Sequence, residues 1–113
     1  MILGIGVDIC QISRIKLEQE KRILSDEERN DFNVLKLEAR KQSFLAGRFA
    51  IKEALIKAFS QAGYCFLLRD LVIENDELGR PKLIKPLLEG LKIHLSITHE
   101  ISYSVGLAVI EKI

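Results

Sequence analysis

Asp8, Glu53 and Lys57 are the residues of this chain whose types could do chemistry together. Two carboxylates offer hard oxygen ligands. With several waters they make a poor calcium cage but suit Mg²⁺, which keeps part of its hydration shell and completes it with substrate phosphate oxygens. Lys57 stands one helical turn beyond Glu53, so its ammonium would be directed at the same phosphate. A divalent ion and a lysine around a phosphate are the outline of phosphoryl transfer. A plainer reading stands beside this one: Glu53 and Lys57 form an i,i+4 pair in the favourable order, which on a helix surface contributes only about 0.3–0.5 kcal/mol.

The two acids can meet only if the elements that carry them pack face to face. In ILGIGVDI, residues 2–9, Leu3, Ile5, Val7 and Ile9 point to one side of a strand while Ile2, Gly4, Gly6 and Asp8 point to the other. The glycines leave the second side bare, so another element can approach closely, and Asp8 emerges at the end of that track. The segment from Leu37 to about Gln61 has the strongest helical pattern; it ends near Gly63 and would run for about 37 Å. Around its axis Phe44, Leu45, Phe49, Ile51, Leu55, Ile56 and Phe59 form one broad apolar arc that also contains Arg48 and Lys52. Glu53 and Lys57 fall on the opposite side with Ala46, Ala50 and Ala54, a small-residue face suited to close packing. Arg48 and Lys52 either lay their stems over apolar surface with the charge in water or face a subunit contact. The arc offers more apolar surface than one small core requires.

The rest of the chain supplies the frame. From Gln11 to about Leu24 the spacing is helical and locally basic, with Arg14, Lys16, Lys21 and Arg22. Ser25 followed by Asp26, Glu27 and Glu28 predicts an N-cap with a capping box and a second short helix. Four strand-like runs follow the long helix, at residues 68–75, 78–85, 92–99 and 102–112. One strand, then helices, then several strands predict a single α+β domain over residues 1–113, its largely antiparallel sheet packed on a long central helix.

Composition narrows the function classes. The chain has 113 residues, 48% hydrophobic and 29% charged, a globular balance. With 17 Lys+Arg against 16 Asp+Glu the net charge is +1, so no global basic field drives nucleic-acid binding. No apolar run is long enough for a membrane span, and no basic leader precedes the first apolar segment, so a cytoplasmic protein is expected. Cys10 and Cys65 lack zinc-site spacing and are expected to be reduced thiols.

GIGVDI near the start and FAIKEALIK at residues 49–57 resemble the two-part signature of the 4′-phosphopantetheinyl transferases. The smaller, single-domain holo-[acyl-carrier-protein] synthase branch is similar over nearly the whole chain, through DICQISRI at 8–15, FLAGRFAIKEA at 44–54, GRP at 79–81 and HLSITH at 94–99. The resemblance implies transfer of the 4′-phosphopantetheine arm of coenzyme A to a serine of apo-acyl carrier protein. Such enzymes require Mg²⁺, release adenosine 3′,5′-bisphosphate and support fatty acid biosynthesis. It also implies a homotrimer with active sites between subunits.

Residue by residue, the resemblance gives Asp8 and Glu53 the metal and Lys57 the pyrophosphate. The serine's base is then a water relayed through Glu53, or Lys57 itself. His99, which by position alone reads as a hydrogen-bonded structural residue, becomes a phosphate contact, while His94 on the other strand face has no role. Arg80 and Pro81 lie by the nucleotide end of coenzyme A, and Arg48 lies in the cofactor channel or at a subunit contact. Arg14 and Arg22 match positions that dock the acidic carrier, and Lys21 joins them by proximity. One departure is visible: the family's glycine-rich turn after the last motif lysine reads AFSQAGYCF here, with Gly63 alone. A non-catalytic module binding coenzyme A or carrier protein is the alternative; it has no need of Asp8, Glu53 and Lys57 together.

Overall fold

A long helix can lie against the first strand because that strand has almost nothing on its inner side. The computed structural model describes all 113 residues. The elements are β1 (Ile2–Gln11), α1 (Glu20–Ile23), α2 (Asp26–Val34), α3 (Glu38–Gln61), β2 (Val72–Asn75), β3 (Pro81–Lys85), β4 (Leu91–His99) and β5 (Tyr103–Lys112). Strands β1, β5 and β4 form one sheet in that order, and β2 and β3 form a hairpin. All pairing is antiparallel. The expected α+β architecture, an antiparallel sheet on a long helix, is what the chain forms.

A Cβ placed on Gly4 would lie 2.0 Å from the carbonyl oxygen of Ala58, and one on Gly6 would lie 1.9 Å from that of Ala54. No side chain fits at either position. The helix answers with Ala46, Ala50, Ala54 and Ala58, all fully buried at four-residue spacing. Gly106 of β5 extends the same contact, its absent Cβ 2.6 Å from Ile51 Cα. On its other flank α3 buries Leu45, Ile51, Leu55 and Phe59 completely within the chain's own core. It ends in a Schellman motif: Gly63, at φ +90°, donates to Ser60 O at 3.1 Å and Tyr64 donates to Phe59 O at 2.9 Å.

Arg48 and Lys52, the two cations inside the apolar arc, are neither solvated nor free. Both face Glu28, whose side chain is 1% exposed. Lys52 Nζ is paired with Glu28 Oε1 and donates to Ile23 O at 2.7 Å, and Arg48 Nε stands 3.5 Å from Glu28 Oε2. The same carboxylate accepts from Ser25 N at 2.9 Å and from Ile73 N at 3.1 Å. The predicted capping box is therefore present, and Glu28 also ties α2, α3 and β2 together. Burial pushes the Lys52 ammonium below the ordinary lysine range, with Glu28 opposing the shift.

Three expectations change. The basic segment after β1 is not one helix: β1 runs on to Gln11, and the chain then makes two 3₁₀ turns, Ile12–Arg14 and Leu17–Gln19, before α1. Ile12 N donates to Ser102 O at 2.9 Å and Gln42 Nε2 to Ile15 O at 2.8 Å, so long-range partners win over a local helical ladder. Residues 68–70 of the first strand-like run form a 3₁₀ turn. The surplus apolar surface lies on the sheet rather than on α3: Ile5, Val7 and Ile9 are 55%, 57% and 62% exposed. Their register partners Val109, Leu107 and Val105 share that outer face.

Removing the partner of two buried cations leaves uncompensated charge in the core. Glu28→Ala is expected to lower the unfolding free energy by about 3–5 kcal/mol in denaturant melts. A loss no larger than that of an exposed ion pair, about 0–1 kcal/mol, would contradict this account.

Candidate functional site

Strand β1 lies at the edge of its sheet, so alternate residues turn their backbone N–H and C=O groups to the open side. Helix α3 covers that side with polar side chains. Gln61 Nε2 donates to Ile5 O at 2.8 Å, and Gln61 Oε1 accepts from Ile5 N at 2.9 Å. One turn earlier, Lys57 Nζ donates to Val7 O at 3.0 Å and to Asp8 Oδ1 at 3.2 Å. Four residues back along the helix (about 6 Å) match two residues forward along the strand (about 6.6 Å).

Continued by one more turn, the same step would bring the helix at Glu53 level with Ile9, the residue after Asp8. The glycine contacts follow the same rule, Gly4 against Ala58 and Gly6 against Ala54. Asp8 and Lys57 are thus in direct contact, and Glu53, half-buried, stands one turn before Lys57 on the same helix. No group of three or more His, Cys, Asp or Glu side chains is gathered anywhere in the chain. Two carboxylates beside a lysine suit an ion that fills the rest of its shell from water and phosphate, and they fit Mg²⁺ better than a metal needing an all-protein cage. Burial, and after it the Asp8 charge, push the Cys10 thiol up, which keeps it protonated.

Two cavities share Ile56; Lys57 lines one and Glu53 the other, and Asp8 lines neither. One, of about 550 Å³, is lined by Ile5, Gly6, Val7, Lys57, Ser60 and Gln61 besides. The other, of about 330 Å³, is lined by Arg22, Glu53, Phe66, Leu67, Leu68 and Arg69 besides. The Arg22 guanidinium sits 5.7 Å from the Phe49 ring centre, while Arg14 and Lys21 are exposed on the same segment. Glu53 therefore faces a cavity with a cationic rim, to which Arg69 adds a residue that the local sequence pattern did not single out.

His99, Arg80 and Pro81 are not brought to Asp8. His99 ends β4, the opposite edge of the sheet, with its Nδ1 3.1 Å from Ser104 Oγ. It lines a cavity of about 330 Å³ with Leu35, Arg40, Ser43 and Phe44. Arg48 lines the neighbouring cavity with Asp31, Leu35, Phe44, Glu74 and Asn75, so the two spaces share Leu35 and Phe44. Arg40 and Ser43 are additions to the predicted set; their only sequence signal is their position on the His99-facing turns of α3. Arg80 and Pro81 border a third space, of about 470 Å³, between the hairpin and β4. There Asp76 fixes the turn, accepting from Leu78 N and Arg80 N at 2.9 Å each and from Arg80 Nε at 2.7 Å. These hydrogen bonds, that of the Arg80 backbone foremost, hold its carboxyl below the usual range.

The departure after Lys57 also has a structural meaning. Ser60 and Gln61 are the last helical residues, at the place of the family's glycine-rich turn, and Gly63 serves as the left-handed helix stop.

Residues 4–109 match the family model described as the 4′-phosphopantetheinyl transferase superfamily. The chain is 44% identical over 119 aligned positions to the holo-[acyl-carrier-protein] synthase of Staphylococcus carnosus, with 99% of each chain covered. Its fold matches that of a Bacillus anthracis holo-(acyl-carrier-protein) synthase solved in complex with CoA (3′,5′-ADP), at TM-score 0.85, 39% identity and coverage of 99% and 98%. The Neisseria meningitidis holo-[acyl-carrier-protein] synthase is similar at TM-score 0.80 and 29% identity, with 99% and 100% covered. Full-length likeness in sequence and in fold converges with the motifs and the edge-strand site: the chain belongs to the 4′-phosphopantetheinyl transferase superfamily, in its holo-[acyl-carrier-protein] synthase branch.

Proposed function

We propose that residues 1–113 act as one domain that transfers the 4′-phosphopantetheine arm of coenzyme A to a serine of apo-acyl carrier protein, in the cytoplasm and in support of fatty acid biosynthesis. The observation that carries this reading is the Asp8–Lys57 contact of 3.2 Å with Glu53 on the adjoining turn. Asp8 and Glu53 would hold Mg²⁺, which when bound anchors the diphosphate and offsets charge on it. Lys57, 53% exposed, is free to exchange Asp8 for a phosphate oxygen and to stabilise the charge that builds on the leaving group.

The serine Oγ bonds to the phosphorus attached to the pantetheine arm. The bond from that phosphorus to the bridging oxygen breaks, and adenosine 3′,5′-bisphosphate leaves with the electron pair. The serine proton passes through a water to Glu53; Lys57 competes as acceptor only as the neutral amine, in which form it no longer offsets the leaving group's charge. Arg14, Lys21, Arg22 and the cationic rim beside Glu53 steer and dock the acidic carrier.

Arg80 and Pro81 serve the nucleotide end of coenzyme A, His99 contacts a phosphate, and Arg48, anchored on Glu28, borders the cofactor channel or a subunit contact. They lie apart from Asp8 in the monomer, which supports a site completed between subunits of a homotrimer. The outer sheet face, with Ile5, Val7, Ile9 and Leu107 uncovered, is the apolar surface such an assembly would bury. Leu107→Asp is expected to shift the protein from trimer to monomer in sedimentation equilibrium and to abolish transfer. A wild-type chain that sediments as a monomer would refute the shared site.

Incubation with Mg²⁺, coenzyme A and apo-acyl carrier protein should add one phosphopantetheine group to the carrier by intact mass. No mass gain would leave the binding-module reading in place. Asp8→Ala and Glu53→Ala should each remove transfer while the melting curve stays cooperative, and Glu53→Gln should cost about 10²–10⁴ in rate. Substantial turnover by either alanine variant would remove the metal assignment.

A further inference from the structure

Gln61 has no part in the reading above, yet it makes the most specific contact between α3 and β1. A side-chain amide presents one acceptor and a donor pair. Here both kinds are matched to one residue, accepting from Ile5 N at 2.9 Å and donating to Ile5 O at 2.8 Å. This reproduces the two-bond exchange that a neighbouring strand would make with an edge residue. Gln61 is itself held on a rigid base. The Schellman stop follows directly, and Phe59 packs edge-on against Tyr64 at 5.7 Å and Phe66 at 5.0 Å between ring centres.

The glycine and alanine contacts press β1 onto α3 and forbid a slip by a whole residue pair, which would drive a side chain into the helix backbone, but they constrain smaller shifts along the axis less. Hydrogen bonds are directional and fix where along the helix the strand sits. Gln61 and Lys57, one turn apart, take the open edge at Ile5 and Val7. Lys57 must leave this clasp to meet a phosphate, so the Gln61 amide is the member that stays.

We propose that Gln61 is a positioning residue: its two-bond clasp on Ile5 fixes the fine placement of the β1 edge along α3 and thereby holds Asp8 beside Lys57 and toward the turn that carries Glu53. The inference rests on the reading of Asp8 and Glu53 as ligands of a divalent ion. Its test uses Gln61→Met, which keeps the length and helix preference of the side chain and removes both hydrogen bonds. Mn²⁺ alone is titrated into the metal-free protein and followed by water-proton relaxation. In parallel, the transfer rate is measured against Mg²⁺ and against carrier protein.

Loss of a group hydrogen-bonded directly to a metal ligand typically costs about 10–100-fold in metal affinity, and for Gln61, which acts one step further out through the Ile5 backbone, the lower end, about tenfold, is the expectation. Gln61→Met is expected to weaken Mn²⁺ by that factor and to raise the Mg²⁺ needed for half-maximal rate in proportion. The KM for carrier protein should stay unchanged, and the Ile5 amide should exchange its hydrogen faster. Gln61→Glu, which keeps the acceptor and loses the donor, should fall between the two and serves as the test should the methionine variant fail to fold. Unchanged Mn²⁺ affinity alongside faster Ile5 exchange would overturn the proposal, as would losses that vanish well below the melting temperature. If Asp8→Asn binds Mn²⁺ as the wild type does, the metal reading itself has failed and the proposal falls with it.

Discussion

Close approach between a side-chain-free strand face and an alanine-lined helix is the contact on which the rest depends. Only glycine at positions 4, 6 and 106 lets β1 and β5 come within touching distance of the α3 backbone. That approach brings the polar flank of α3 over the open edge of β1, so Lys57 and Gln61 reach strand groups that a bulkier interface would hold out of range. A strand with leucine on its inner face would still pack on a helix, but at a distance too great for Asp8 and Lys57 to touch.

A second consequence concerns the division of charge along α3. Its cations at positions 48 and 52 go inward to Glu28, while Lys57 goes to the strand edge and Glu53 to the cavity beside Arg22 and Arg69. The buried group holds α2 and the hairpin to the helix; the exposed group is left available for a phosphate. Burying Arg48 and Lys52 without Glu28 would cost several kcal/mol per ion, so the internal cluster is a condition of the fold before it is anything else.

Much of this was legible in the sequence because two periods overlap there. The period of two in ILGIGVDI marks the bare face and Asp8, and the period of 3.6 in α3 separates Glu53 and Lys57 from the apolar arc. Glu28 was hidden because its capping-box position already accounted for it, while Lys52 and Ile73 reach it from 24 and 45 residues away. Ile12 and Ile15 suggested a helix by spacing, yet the segment is held by Ser102 and Gln42, partners that no local window contains. The separation of His99 from Asp8 depends on strand order, which local patterning does not encode.

The central claim is that Asp8 and Glu53 converge on one divalent ion. Mn²⁺ titrated into isotopically labelled protein gives the most direct reading, through paramagnetic broadening of backbone amides. The account predicts that signals around Asp8 and around Glu53 disappear together at low Mn²⁺, and that Asp8→Asn restores both. Broadening centred on the exposed acids of α2, with Asp8 and Glu53 untouched, would contradict it.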